Sequence, residues 1–241
     1  MSKIASQGYK PLTIAFKDIN IQDFEELQKT FGNFESEESR THLEQNLQLV
    51  ATFGFQDVYW KGVSQTIAKL RETNTITRLI SGDHRDVVIH TLVSLGMIDR
   101  EQIDGIISGK ELSDRMEGLF EEYYDSQTQR KRLHFIDDSK KHEFAKLKDD
   151  VKAVYRASSE DKYKFVSGLS ELTLCSYTGK SFSDANALTA ASVGFAMGKV
   201  GSDVAKQEAD IVLLDDDFNS IFNAVRWGRN VFDNVKKFLQ F

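Results

Sequence analysis

Thr75-Ile-Thr-Arg-Leu-Ile-Ser-Gly-Asp-His84 is the stretch from which the fold is read. A short run of β-branched and apolar residues, Thr75–Ile80, stops at Ser81-Gly82-Asp83. A helical spacing then takes over across His84–Leu95, with Val87, Val88, Thr91, Leu92 and Leu95 on one face. Downstream, Val151–Tyr155 reads as a strand, followed by a helix over Ser159–Leu169. That helix opens on Ser159 as N-cap with acidic residues in its first turn. Leu172–Tyr177 reads as a strand closed by Thr178-Gly179, and Ser192–Ala196 and Ile211–Leu214 as two more. Upstream, Leu12–Phe16 is a short strand, and residues 20–46 are acidic and helix-compatible with a break at Gly32-Asn33. Leu47–Phe55 reads as a buried strand, and Lys61–Glu72 has Val63, Ile67 and Leu70 at helical spacing. Ile103–Ile107 suits a strand, and Gly109–Lys141, dense in charge, suits surface helix and loop. Phe218–Leu239 predicts a long amphipathic helix with Phe218, Ile221, Phe222, Val225, Phe232, Val235 and Leu239 on one side, its aromatic residues packing on the sheet.

Strands alternating with helices indicate an α/β fold, a Rossmann-like parallel sheet flanked by helices. Such sheets bind ligands beyond the carboxyl ends of their strands. Ser81-Gly82-Asp83, the 157–162 loop and the 178–184 loop are therefore expected to meet in one crevice.

Composition narrows the function. Of 241 residues, 40% are hydrophobic and 28% charged, enough for a buried core. The net charge is −6 with no dense basic block, which argues against nucleic acid as a partner. Cys175 is the only cysteine, so neither an internal disulfide nor a cysteine-based metal cluster is possible, and a reducing cytoplasmic setting is expected. No stretch approaches the roughly 20 apolar residues of a membrane span, and no signal-peptide pattern opens the chain. The five histidines show no metal-ligand spacing; His84, directly after Gly82-Asp83, is the one placed to approach the crevice. Asp215-Asp216-Asp217 reads as helix capping ahead of a metal cluster. Pro11 is the only proline.

Four strings carry the chemistry. They are Arg78-Leu-Ile-Ser-Gly-Asp-His84, Tyr155-Arg-Ala-Ser-Ser-Glu-Asp-Lys162 and Thr178-Gly-Lys-Ser-Phe-Ser-Asp-Ala-Asn-Ala-Leu188. The fourth runs Val193-Gly-Phe-Ala-Met-Gly198, Ser202-Asp-Val-Ala-Lys206, Ala209-Asp-Ile-Val-Leu-Leu-Asp-Asp216 and Trp227-Gly-Arg-Asn-Val231. In order and spacing they resemble the phosphorylation domain of P-type cation-transporting ATPases, which has a haloacid-dehalogenase-like fold. The fourth string resembles the plasma-membrane calcium-pump subfamily. The resemblance implies three segments: residues 1–46 as the end of a nucleotide-binding-domain-like segment plus hinge, 47–230 as the phosphorylation-domain-like core, and 231–241 as the end of a helix leading to a membrane span.

The family's chemistry is transfer of the γ-phosphoryl of ATP to an aspartate, with Mg²⁺ bridging the charges. By resemblance, Ser81, Gly82, Asp83, Lys162, Gly179 and Asp184 hold the phosphate-site positions: Ser81 the hydroxyl, Lys162 the phosphoryl-binding lysine, and Asp184 the last aspartate of the family's T-G-D-G-x-N-D. Against that pattern, Lys180 stands where the family has its Mg²⁺-binding aspartate, Ser181 replaces the second glycine and Ser183 the asparagine. An ammonium has no lone pair for a metal. The family's D-K-T-G-T string does not occur in the chain. The hinge pattern D-P-x-R appears as Asp57-Val-Tyr-Trp60.

No intact catalytic set and no metal site are therefore expected, and no cofactor for this chain, although the family uses Mg²⁺ and ATP. The reading that follows is a non-catalytic structural or interaction module, with other subunits of an assembly or the remaining parts of a pump as partners and residues 109–150 as the docking surface. The alternatives are a cytosolic fragment of a calcium-transporting pump and, last, a small phosphatase of the same fold, for which no N-terminal D-x-D strand is present.

Overall fold

The computed structural model describes residues 2–56, 58–101, 103–126 and 130–241. The chain divides into two compact units, Met1–Asp57 and Val58–Phe241.

The first unit contains α1 (Ser2–Ala5), β1 (Lys10–Phe16), α2 (Ile21–Phe31), α3 (Glu37–Leu43) and β2 (Gln48–Phe55). Gly32 ends α2, as the glycine signal predicts, at a φ of 67°. The strand expected at Leu47–Phe55 forms, but it is not buried. It pairs antiparallel with β1, from Lys10 opposite Phe55 to Phe16 opposite Gln48, and Leu49, Val50, Phe53 and Phe55 are exposed. A two-stranded sheet has no second layer of its own to cover it.

The second unit holds the α/β core. In order it comprises α4 (Val63–Glu72), β3 (Leu79–Ile80), α5 (Arg85–Ser94), β4 (Ile106–Ser108), α6 (Gly109–Met116), β5 (Phe120–Asp125), β6 (Arg130–Phe135) and α7 (Asp138–Asp150). It continues with β7 (Ala153–Tyr155), α8 (Ser159–Leu172), β8 (Ser176–Gly179), a 3₁₀ turn at Phe182–Asp184, α9 (Ala185–Ala190), β9 (Val193–Met197), α10 (Asp203–Glu208), β10 (Ile211–Leu213) and α11 (Asn219–Gln240). The parallel strands form two three-stranded sheets, β3-β7-β4 and β10-β9-β8, linked by α8. Among the described residues β3 and β8 each pair on one side only. This is the Rossmann-like arrangement that the alternating pattern predicts.

Three local expectations are corrected. The strand Thr75–Ile80 shortens to Leu79–Ile80. The helix ending at Leu169 runs on to Leu172, so β8 starts at Ser176 rather than Leu172. Its N-cap is Ser158, not Ser159: the Ser158 hydroxyl accepts from Asp161 N at 3.1 Å, while Asp161 Oδ2 accepts from Ser158 N at 2.8 Å.

The segment expected on the surface supplies much of the core. Leu112, Met116, Leu119, Phe135, Phe144 and Leu147 are buried with Val154 and Phe165. Charged residues mask these apolar positions, which recur at helical spacing in α6 and α7. Phe120 and Phe135 stack across the β5–β6 hairpin at 4.9 Å between ring centroids, and Phe144 meets Phe165 at 5.7 Å. Gly168 makes room for this cluster, because a Cβ there would lie 2.5 Å from the Phe144 ring. Arg78, just before β3, donates to the carbonyls of Lys148 (2.8 Å) and Val151 (3.0 Å), so its cation sits at the C-terminal end of α7. No helix among the described residues is long and apolar enough to cross a membrane.

Candidate functional site

The carboxyl ends of β3, β7 and β8 carry the loops that sequence places in the crevice. Asp184 stands at the centre of the β8 loop, and both of its carboxylate oxygens accept hydrogen bonds. Oδ1 takes Lys162 Nζ at 2.7 Å and Tyr177 Oη at 3.0 Å. Oδ2 takes Ser181 Oγ at 2.7 Å, Ser181 N at 3.0 Å and Lys180 N at 3.1 Å. Five donors on a group with about four lone-pair directions leave it saturated. The Lys162 and Asp184 side chains are only 12% and 9% exposed, so this is a buried ion pair.

The local sequence explains the geometry. The capping box of Ser158 and Asp161 starts α8 at Ser159, which sets Lys162 in the first helical turn. Tyr177 and Gly179 are two residues apart in β8 and share a face. Gly179 lets the loop close on Asp184, since a Cβ there would come within 2.6 Å of Asp184 Cβ. Ser183 Oγ lies 2.7 Å from Ser181 Oγ and joins the same network. Burial alone would raise the Asp184 pKa. The bonds from Lys162, Ser181 and Lys180 outweigh it and hold the carboxyl well below its ordinary range. Tyr177 is pushed up by burial first and by the Asp184 charge second, and stays a neutral donor.

Ser81 and Asp83 bond each other within the β3 loop. Ser81 Oγ donates to Asp83 Oδ2 at 2.9 Å and accepts from Asp83 N at 3.1 Å. Backbone bonds tie it to the loop after β7: Ala157 N donates to Ser81 O at 2.9 Å, and Arg156 N to Asp83 O at 3.0 Å. Gly82 lies against Ala157 O, 3.6 Å from where its Cβ would be. Thus Lys162, Gly179, Ser181, Ser183 and Asp184 are brought into one network, and Ser81, Gly82 and Asp83 connect to it through residues 156–158. Lys180 contributes only backbone: its N–H bonds Asp184, its carbonyl accepts from Ser202 N at 2.8 Å, and the residue is exposed.

Other candidates resolve simply. His84 does not enter the network; it caps α5, Nδ1 accepting from Asp86 N at 3.4 Å. Of the three aspartates, Asp217 accepts from Asn219 N at 2.9 Å at the start of α11, the capping role predicted. Asp216 is buried and accepts from Lys199 N and Val200 N, both at 2.9 Å. Among the described residues no cluster of three or more His, Cys, Asp or Glu side chains is placed to hold a metal. Asp57, read as a hinge, lies outside the described residues. Tyr177, Ser158 and Asp161 belong to the site but were absent from the sequence candidates. The two-residue strand period pairing Tyr177 with Gly179 was the available signal for the first.

Comparison with known proteins fits this frame. Over 253 residues the chain is 30% identical to plasma membrane calcium-transporting ATPase mca-1 of Caenorhabditis elegans, covering 99% of this chain and 19% of that protein. It is 30% identical over 244 residues to plasma membrane calcium-transporting ATPase 3 of Rattus norvegicus, and 29% to that of Homo sapiens. The chain is a homologue of the plasma-membrane calcium-transporting ATPases. The homology of this calcium-pump relative runs through both compact units and through all four strings. No family model matches the chain. It spans about a fifth of the length of the curated relatives it matches.

Proposed function

We propose that this chain is a calcium-pump-derived domain that keeps the phosphorylation-domain scaffold as a structural or interaction module and does not itself form a phosphoenzyme. The observation that carries the reading is the saturation of Asp184. Its five bonds come from Lys162, Tyr177, Ser181 and the Lys180 amide, so the carboxylate has no free oxygen direction to offer a divalent cation. The position that the family's pattern gives to a Mg²⁺-binding aspartate carries the cation of Lys180, which repels a metal rather than binding it. These residues do not fit Mg²⁺. Lys162 is committed to Asp184 instead of facing a phosphoryl group, and the D-K-T-G-T string that supplies the acceptor is not in this sequence.

The test is labelling. Incubated with γ-labelled ATP, Mg²⁺ and Ca²⁺, the chain is expected to give no hydroxylamine-labile acyl phosphate. A labelled product that disappears in the Asp184→Ala variant would overturn the reading. The loss of function is placed in several residues at once, so Lys180→Asp alone is expected to restore nothing.

A second reading has its own support in the 99% coverage of this chain by pump sequence. In it, the chain is the cytosolic part of a working pump whose acceptor aspartate lies on another segment. Mixing the chain with a segment bearing D-K-T-G-T distinguishes the two readings, since only beside a working chain would the aspartate of that segment take label.

A further inference from the structure

We infer that the cavity at the amino ends of β3 and β7 binds a small organic anion, a carboxylate carried on an apolar body. Its volume is about 490 Å³, within the size class of small-molecule sites. Its walls are α4, the 74–78 segment, the end of α5 and the chain between α7 and β7. β3 and β7 run parallel, so this end lies away from the loops that follow their carboxyl ends.

The floor of the cavity is apolar. Ile67, Leu92 and Val151 are buried, and Met97 and Ile98 stand half-buried beside them.

Charge decides the head group. Arg71, Arg78 and Lys152 line the same space against one carboxylate, Asp149, a net +2 in a chain of net charge −6. Asp149 bonds Lys148 at 2.5 Å. Among the described residues no carboxylate forms an ion pair with Arg71, Arg78 or Lys152. Both arginines bond backbone instead. Arg71 Nη2 donates to Gly96 O at 3.3 Å and to Met97 O at 2.9 Å, where α5 ends. Arg78 spends Nε and one Nη2 hydrogen on the end of α7. A guanidinium carries five N–H groups, so the described bonds leave three on each arginine. The helix ends offset part of the charge, yet burial disfavours the Arg78 cation and lowers its pKa. An incoming carboxylate supplies a counter-charge at this place, and its two oxygens match the edge of a guanidinium. An anion without an apolar body would leave the floor uncovered, and an apolar body without a charge would leave the cations as they are.

The test uses the whole chain, isothermal titration calorimetry and three probes: octanoate, 1-octanol and inorganic phosphate. Octanoate is expected to bind saturably, about tenfold or more tighter than 1-octanol or phosphate. Arg71→Gln is expected to weaken octanoate about tenfold, and Lys152→Gln about threefold. The Lys152 side chain is exposed and makes no described bond, so its variant keeps the fold even where loss of the Arg71 bonds loosens α5; thermal melting checks both. With methionine methyl groups labelled for NMR, Met97 is expected to shift during the titration and Met116, buried in the core, to stay. Failure of octanoate to bind, or equal binding of 1-octanol or phosphate, overturns the proposal. So does an affinity unchanged in both variants, or a shift at Met116 without one at Met97. None of these outcomes bears on the phosphoenzyme test.

Discussion

After β3 the chain turns on Ser81 and Asp83, which bond each other within three residues; after β8 it turns on Asp184, which bonds helix α8, strand β8 and its own loop. Both loops stand at the carboxyl end of a parallel strand, and both carry a carboxylate. The first is a local turn in which Ser81 and Asp83 bond each other. The second is a cross-link through a buried ion pair. The position of a carboxylate at a strand end therefore does not tell what it holds together. Its donors do, and on that measure the β8 loop is a structural joint.

The comparison is most exposed to substitution at the two carboxylates. Asp184→Ala leaves the Lys162 cation buried and unpaired, and is expected to cost about 3–5 kcal/mol of unfolding free energy. Asp83→Ala is expected to cost about 1 kcal/mol, the net worth of an ordinary hydrogen bond. Chemical denaturation of both variants measures the difference; equal losses would break the contrast. The glycines give a second pair. Gly179→Ala forces a methyl into Asp184 and is expected to cost about 1–3 kcal/mol. Gly82→Ala meets only an ordinary contact at 3.6 Å and is expected to be neutral or stabilising by up to about 1 kcal/mol.

Acid sharpens the contrast further. The folded pKa of Asp184 is depressed, so its contribution is complete above the unfolded value of about 3.9 and is lost as pH falls below that toward the folded value. Unfolding free energy is expected to fall below pH 4 with a slope of up to about 1.4 kcal/mol per pH unit from this group. A pH titration of stability should show that slope reduced in Asp184→Asn. Ser81→Ala, which removes both turn bonds of a part-buried hydroxyl, is expected to cost about 1 kcal/mol.

Much of this was legible in the sequence. The strand-stop-helix pattern around Ser81 gave the Rossmann-like class, and the rule for strand carboxyl ends placed Lys162 and Asp184 in one site. What it missed has physical reasons. Tyr177 was hidden because a strand tyrosine is more often core than donor, and Ser158 because two adjacent serines compete for one cap. The 109–150 stretch hid Leu112, Phe144 and Leu147 behind neighbouring charges, although those residues close the core. Leu47–Phe55 misled in the other direction. An apolar strand looks buried wherever it lies, and only its partner, here β1 alone, reveals that the face is open.

The two sheets end in short strands, two residues in β3 and four in β8. Free sheet edges invite other chains to add strands, and brevity is one of the means by which proteins blunt that invitation. Leu79–Ile80 and Ser176–Gly179 offer another chain only a few backbone groups with which to pair.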